Sequence, residues 1–391
     1  MRHVFTTSLL CSMLFASCSG GKSDGYTIRG EIEGLPDSTV VLIIPLAHTS
    51  EAPLAETTVI DGKFEFTGTT DEPIASLLTV KDHYGSKRFI LENADIDMSG
   101  NVSASESGDG RILYNFNDVT VAGSPLTDEY IVKMAPRYRI DSIMTSNQST
   151  YATLIEQLHK AMADRNQTAI DSIQSTDGFK KMSSTEKYCF TAFDSLFHAG
   201  VEENKNSFWG PILMISHVTY LSPKQREMYE SFPEDVKNTY AGRLVAQELY
   251  PVGRPGDKMA DFSQTDINGS EVTLASACNG KKYILLDFWA SWCGPCRREL
   301  PNVKSIYEKH MNNGFDVLSI SIDQDDSAWR QAVKEEDLKW INLRDTDHTI
   351  ADAYHVSSVP TMYIVDSEGR LVAENLRGEE LAAKVDELMA E

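Results

Sequence analysis

Residues 287–301 read DFWASWCGPCRRELP. Cys293 and Cys296 stand one helical turn apart, Gly294 and Pro295 lie between them, and Trp292 precedes the pair. Thiols held this close can pass between a dithiol and a disulfide. The thiolate, not the thiol, is the form that attacks sulfur. The apolar run 283–290 reads as a buried strand leading into the pair, and the residues after it as a helix running to about Asn312. Cys293 then falls at or just before a helix N-terminus, where unpaired N–H groups and the helix dipole favour an anion. Pro295 suits a first turn because its missing N–H would be unpaired there anyway. On this geometry Cys293 attacks a disulfide and Cys296, better buried one turn in, resolves the mixed disulfide. A metal site is disfavoured, since zinc needs four ligands and no second CxxC or HxxxH accompanies this one. Haem attachment would need His after Cys296, where Arg297 stands. A structural disulfide would bury its sulfurs without needing Trp292 as a lid.

The elements that must position the pair lie in the last third of the chain. At 391 residues the length suggests two or three domains. Residues 26–122 carry short alternating runs such as YTIRGEI and dense ones such as STVVLIIPL, and TTVIDGKFEFTG reads as a hairpin turning at Asp61-Gly62. A small, all-β, antiparallel sandwich or barrel is expected there. From 123 to 250 the period becomes helical, with Leu154, Leu158 and Met162 at four-residue spacing and Ser222-Pro223 as a helix start. We read a helical connector whose Met and Tyr residues pack inside. The Pro/Gly stretch PVGRPGD at 251–257 opens a domain over 251–391. It carries a hairpin at Asn268-Gly269, then strand, helix, strand, helix, a strand pair and a closing helix. Trp329 and Trp340 read as core.

A formal charge of -22, spread over both halves of the chain, excludes nucleic acid as an expected partner, since phosphate binding needs a basic footprint. Residues 1–17 have Arg2 followed by an apolar stretch from Val4 to Ala16, too short to span a bilayer and suited to a secretory signal. The Phe15-Ala16-Ser17-Cys18 sequence resembles the lipobox of bacterial lipoproteins, which implies acylation of Cys18 and a flexible tether over 18–25. Export would leave Cys189, Cys278, Cys293 and Cys296 in the folded body, too few for a disulfide scaffold. Cys189 and Cys278 read as separate, partly buried thiols.

DFWASWCGPC is close to the thioredoxin active-site signature, and CGPCRRELP resembles exported, membrane-anchored thioredoxin-like proteins of the TlpA/ResA type. The resemblance covers about residues 253–391 and implies a thioredoxin-like α/β fold. The β region resembles an N-terminal domain found ahead of such modules in exported lipoproteins. Thioredoxins carry a buried acid where Asp287 stands, on the strand six residues before Cys293. Burial would raise its pKa and let it take the proton of Cys296; otherwise it is an acid facing solvent at a strand end. Glu299 matches a pocket-bordering Glu of the TlpA/ResA type. It either tunes the cysteines or is an ordinary first-turn acid stabilised by the helix dipole. Thioredoxin folds hold a cis-proline where Pro360 stands, keeping the Val359 backbone open to an extended substrate segment. Arg297 and Arg298 read as solvated residues that raise the potential near Cys293.

The resemblance implies a thiol–disulfide oxidoreductase that reduces disulfides of exported proteins, with a link to cytochrome c maturation in some relatives. No organic cofactor or metal is expected beyond the Cys293–Cys296 dithiol. A membrane electron donor is implied as a partner, as is the membrane surface through lipid on Cys18. The expected location is the periplasm-facing cell envelope, with the outer membrane preferred over the inner. A disulfide oxidant or isomerase, a weak thiol peroxidase, and a binding or assembly lipoprotein with a secondary redox site stay open as alternatives.

Overall fold

The computed structural model describes residues 24–48 and 51–390. The expected signal segment, Cys18 and tether residues 19–23 lie outside the described residues. The chain divides into two compact units, Met1–Glu248 and Leu249–Glu391.

The first unit begins with strands β1 (Tyr26–Glu33), β2 (Val40–Pro45), β3 (Ala55–Thr58), β4 (Lys63–Gly68) and β5 (Ile74–Val80). They continue with β6 (Ser86–Leu91), β7 (Asp95–Asn101), β8 (Ser103–Glu106), β9 (Ile112–Asn115) and β10 (Thr120–Ala122). Two four-stranded sheets, ordered β10-β7-β1-β4 and β3-β2-β5-β6, share one core. Period-2 alternation places Ile28 and Ile32 of β1, Val41 and Ile43 of β2 and Leu78 of β5 in that core. Two expectations need correction. The Asp61-Gly62 turn forms, closed by the Ile60–Lys63 bridge. Its flanking strands, however, part into different sheets, β3 pairing with β2 and β4 with β1. The turn therefore makes a corner of the sandwich and not a hairpin ladder. The region is not wholly antiparallel either, because β1 and β7 pair in parallel.

Helices α1 (Pro125–Thr150), α2 (Ala152–Ala163), α3 (Gln167–Ser175), α4 (Asp177–Asn204) and α5 (Trp209–His217) follow, then α6 (Arg226–Glu230), α7 (Glu234–Lys237) and α8 (Tyr240–Leu249). Ser124 caps α1 by accepting from the Thr127 N–H, and Pro125 occupies its first turn. The expectation that the Met and Tyr residues here pack inside holds only for some. Tyr130, Met134 and Tyr229 are buried, whereas Met162, Tyr188 and Tyr220 are exposed. In α2 it is Ala161, one residue short of Met162, that turns inward.

In the second unit, β11 (Ser263–Thr265) and β12 (Glu271–Thr273) form the expected hairpin across Asn268-Gly269, with Gly269 at φ 89°. After α9 (Leu274–Cys278) come β13 (Tyr283–Trp289), α10 (Gly294–His310), β14 (Phe315–Ser321), α11 (Asp326–Glu335) and β15 (Ile341–Arg344). The chain closes with α12 (Thr349–Ala353), β16 (Thr361–Asp366), β17 (Leu371–Glu374) and α13 (Gly378–Ala390). The five-stranded sheet is ordered β15-β14-β13-β16-β17, so β13 is central. β14 runs parallel to β13 and β15 parallel to β14, whereas β16 pairs antiparallel with β13 and β17 antiparallel with β16. Buried on both faces, β13 sends Leu285 and Trp289 into the core shared with α10, α11 and α13, and Ile284, Leu286 and Phe288 into the core shared with α9 and α12. Each such side chain contributes about 1.5–3 kcal/mol on burial, which makes β13 a rigid base for the residues that leave its C-terminal end. Among the described residues, no helix is long and apolar enough to cross a membrane.

Candidate functional site

Strand β13 ends at Trp289, and a short loop delivers Cys293 to the N-cap of α10. Its Sγ accepts the Cys296 N–H at 3.2 Å, so a helix donor already points at the sulfur that would carry thiolate charge. Cys293 and Cys296 form a disulfide. Relative exposure is 4% for Cys293 and 2% for Cys296. The expected contrast in burial is thus nearly absent in the oxidised form, because one bond holds both sulfurs in the same core. Trp292 is instead 67% exposed beside them, an apolar ring left on the surface next to the disulfide. Gly294 and Pro295 form the exposed first turn between the cysteines.

The loop is pinned from behind by Asp323. This buried carboxylate accepts from the Ser291 N–H at 2.8 Å, the Ser291 hydroxyl at 2.6 Å and the Ser321 hydroxyl at 2.6 Å. Facing Cys293 on the other side is the loop before β16. The Val359–Pro360 peptide is cis, and the Val359 carbonyl oxygen lies 3.6 Å from Cys293 Sγ. While Cys293 is in the disulfide, this is a contact; a reduced thiol would have a proton to donate there. The Arg377 guanidinium donates to the Pro360 carbonyl, fixing that loop from β17 outward.

Asp287 is 1% exposed, on the face of β13 that also bears Leu285 and Trp289. Those two residues pack in the same cluster as both cysteines, so its carboxyl lies behind the disulfide and not at a solvent-facing strand end. Burial pushes its pKa up to about 7; the Ser319 hydroxyl, donating at 3.1 Å, opposes the rise, and the charge of Glu299 adds to it. Ser319 in turn accepts from Trp340 Nε1 at 2.8 Å. Glu299 is half-buried, and its Oε1 accepts from Asn302 Nδ2 at 2.7 Å and the Gly378 N–H at 2.8 Å. It therefore ties α10 to the start of α13 while its charge acts on Asp287.

Arg297 departs from the expectation of a solvated residue. It bonds Glu336 at 2.9 Å and Glu335 at 3.2 Å, joining α10 to the end of α11. Cys189 and Cys278 are both unpaired by disulfide and fully buried, not partly so. No cluster able to hold a metal occurs among the described residues. The sequence singles out none of Ser319, Asp323, Ser291 and Arg377, and it points to Trp340 only as core. A signal was available for the first of these, since VLSISID places Ser319 and Ser321 on one side of an otherwise apolar strand, and Ser319 is the direct cross-strand partner of Asp287.

The AhpC/TSA family model matches residues 255–374, and a domain of unknown function (DUF4369) matches residues 26–130. The chain is 28% identical over 150 residues to a protein named thiol-disulfide oxidoreductase ResA from Bacillus thuringiensis, covering 38% of this chain and 83% of that one. It is 30% identical over 117 residues to the protein of the same name from Bacillus subtilis, covering 30% and 64%. Among solved structures, the thioredoxin domain of a thiol-disulfide oxidoreductase from Bacteroides vulgatus is 29% identical, covering 35% of this chain and 98% of that one, with a TM-score of 0.33. The family model and the named relatives coincide with the unit that places a disulfide at a helix N-cap, opposite a cis-proline loop and in front of a buried acid. That unit is a thioredoxin-like domain that matches the AhpC/TSA family model, and the chain is a thiol–disulfide oxidoreductase.

Proposed function

We propose that the protein works as a reductase of disulfides in exported proteins. In the reduced enzyme, the Cys293 thiolate attacks one sulfur of a substrate disulfide. The Cys293–substrate bond forms, the substrate S–S bond breaks, and the first substrate thiolate leaves. Cys296 then attacks Cys293 Sγ, its proton passing to Asp287, and the second substrate thiolate departs as the Cys293–Cys296 disulfide forms. Two electrons have moved to the substrate, so a dithiol donor must restore the enzyme. The observation that carries this reading is the buried Asp287 carboxyl with a pKa near 7, poised to hold one proton at neutral pH. The Cys296 N–H directed at Cys293 Sγ supports Cys293 as the attacking sulfur. The exposed Trp292 ring and the Val359 carbonyl would line the path of an extended substrate segment.

Export, acylation at Cys18, anchoring at the periplasmic face of the outer membrane and re-reduction by a membrane donor complete the proposal. They are supported by the leader-like residues 1–17 and the lipobox-like Cys18 context. Apocytochrome c is one substrate class consistent with the TlpA/ResA resemblance. The test is the reduction potential of the Cys293–Cys296 pair, equilibrated in thiol buffers and trapped for mass analysis. A value near -270 mV or lower, about that of a reducing thioredoxin, is expected. One between about -120 and -180 mV would make the protein an oxidant or isomerase instead. A Cys296→Ser chain should accumulate mixed disulfides on Cys293; accumulation on Cys296 in a Cys293→Ser chain and not here would reverse the assigned roles.

A further inference from the structure

The first unit has a cleft of about 720 Å³ whose character is opposite to that of the chain around it. The protein is strongly acidic, at -22, yet the charged side chains lining this cleft include Lys87, Arg88 and Arg137 against one carboxylate, Asp141. That carboxylate is already held by Arg137 at 2.8 Å. Lys87 and Arg88 have no carboxylate partner among the described residues. Partial burial lowers the Lys87 pKa with nothing opposing it, the mark of an ammonium without a counter-ion.

The cleft also borders unused backbone. β6 is an edge strand, paired only with β5, and β10 is the edge of the other sheet; residues of both line it. In an antiparallel strand the N–H and C=O of a residue point the same way, and residues two apart share that direction. The Ile90 N–H donates to Thr127 Oγ1 at 2.9 Å, and its carbonyl accepts from the Ser124 hydroxyl at 3.4 Å, so the start of α1 covers the edge there. Arg88 and Ser86 point their backbone groups in the same direction, in the gap between that cover and the Tyr84–Leu113 bridge, where the Tyr84 N–H donates to the Ile112 carbonyl and the Tyr84 carbonyl accepts from the Tyr114 N–H. Beyond them lies one stripe of α1, Ile131 and Tyr138, 50% and 43% exposed despite being large and apolar. A short open strand edge, the Lys87 ammonium without a carboxylate, and an apolar stripe whose Tyr138 hydroxyl holds Arg88 thus meet in one place.

We propose that this cleft binds an extended, acidic polypeptide segment as an added strand on β6, with Lys87 pairing its carboxylates on one face and Ile131 and Tyr138, on the Arg88 face, receiving its apolar side chains on the other. A small anion would use the cations but leave the strand edge and the stripe idle, and a basic peptide would be repelled. The site is separate from the redox chemistry of the second unit and stands or falls without it.

The test uses the full chain and a fluorescent, end-blocked octapeptide alternating Glu and Val, read by anisotropy. Saturable binding is expected. Lys87→Met, which keeps the apolar stem, should weaken it at least about tenfold, the worth of one charge-assisted hydrogen bond. A copy of the peptide N-methylated at alternate residues keeps its charges but cannot pair as a strand, and should bind at least about tenfold more weakly. Equal binding of the methylated peptide would overturn strand addition, and equal binding by Lys87→Met would overturn the cleft as the site. If Lys87→Met instead self-associates and wild-type protein ignores the peptide, Lys87 is an edge-protecting charge and the proposal fails. Preference for vesicles of anionic phospholipid over the peptide would likewise refute it. A Cys293→Ser, Cys296→Ser chain should bind the peptide as the wild type does.

Discussion

Replacing Asp287 by Asn removes the ionisation of a carboxyl that burial holds near pKa 7, against an ordinary value of 3.8. Because the folded pKa is raised, the folded state holds its proton more tightly than the unfolded chain. The stability this gives is fully present below the unfolded pKa, erodes as pH rises past about 4, and is lost once pH passes the folded pKa near 7. Each pKa unit corresponds to about 1.36 kcal/mol. Between pH 5 and pH 9 the linkage therefore lowers wild-type stability by about 3 kcal/mol relative to a chain lacking this group. The Asn amide adds a cost of its own, about 1–3 kcal/mol for a buried donor without an acceptor, but that cost does not change with pH. The variant should thus gain about 3 kcal/mol on the wild type from pH 5 to pH 9, whatever its starting deficit. Urea unfolding in a Trp209→Phe background suits the measurement, since the remaining tryptophans, 289, 292, 329 and 340, all belong to the second unit. Stability curves that run parallel with pH in the two proteins would refute the claim that Asp287 is buried with a raised pKa, and with it the proton acceptor for Cys296.

Other outcomes follow from neighbouring contacts. Ser319→Ala removes the hydrogen bond that lowers the Asp287 pKa, so the inflection near pH 7 in the rate of disulfide turnover should move upward by about 1 pH unit; an unmoved inflection would exclude Asp287 as its source. Asp323→Ala leaves Ser291 and Ser321 without their acceptor in the interior and should cost the second unit about 2–4 kcal/mol in urea unfolding, with faster hydrogen exchange in residues 290–293. His48 bonds Glu248 at 2.6 Å, and that bond raises its pKa. The sign is that of a raised histidine: stability of the first unit is fully present below the unfolded pKa and is lost as pH rises through the folded one. His48→Gln should remove that loss of stability with rising pH, leaving the unit's unfolding flatter across this window.

What could be read along the chain was local. Pro295 and the CxxC spacing imply a helix start at Cys293, because capping and first-turn chemistry involve only neighbours in sequence. The buried character of β13 is likewise written in YILLDFW, apolar on both faces. The sandwich corner at Asp61-Gly62 was misread as a hairpin because a turn signal says that the chain reverses, not which partner each strand then takes. Arg297 was misread for a related reason, since its partners Glu335 and Glu336 arrive from another helix.

The sequence alone determined the chemistry on offer: two thiols one turn apart at a helix N-terminus, with acids within a few residues on either side. Only the tertiary structure decided how those acids are used. The register of β13 against β14 sets Ser319 beside Asp287, and packing of α10, α11 and α13 over that strand removes water from the carboxyl and so raises its pKa. The same packing brings α13 to Glu299, whose oxygen takes the Gly378 N–H. The Lys87 cleft belongs to this second category as well. Its edge strands, β6 ending at Leu91 and β10 starting at Thr120, are far apart in sequence, and only the closing of two sheets over one core leaves them beside each other.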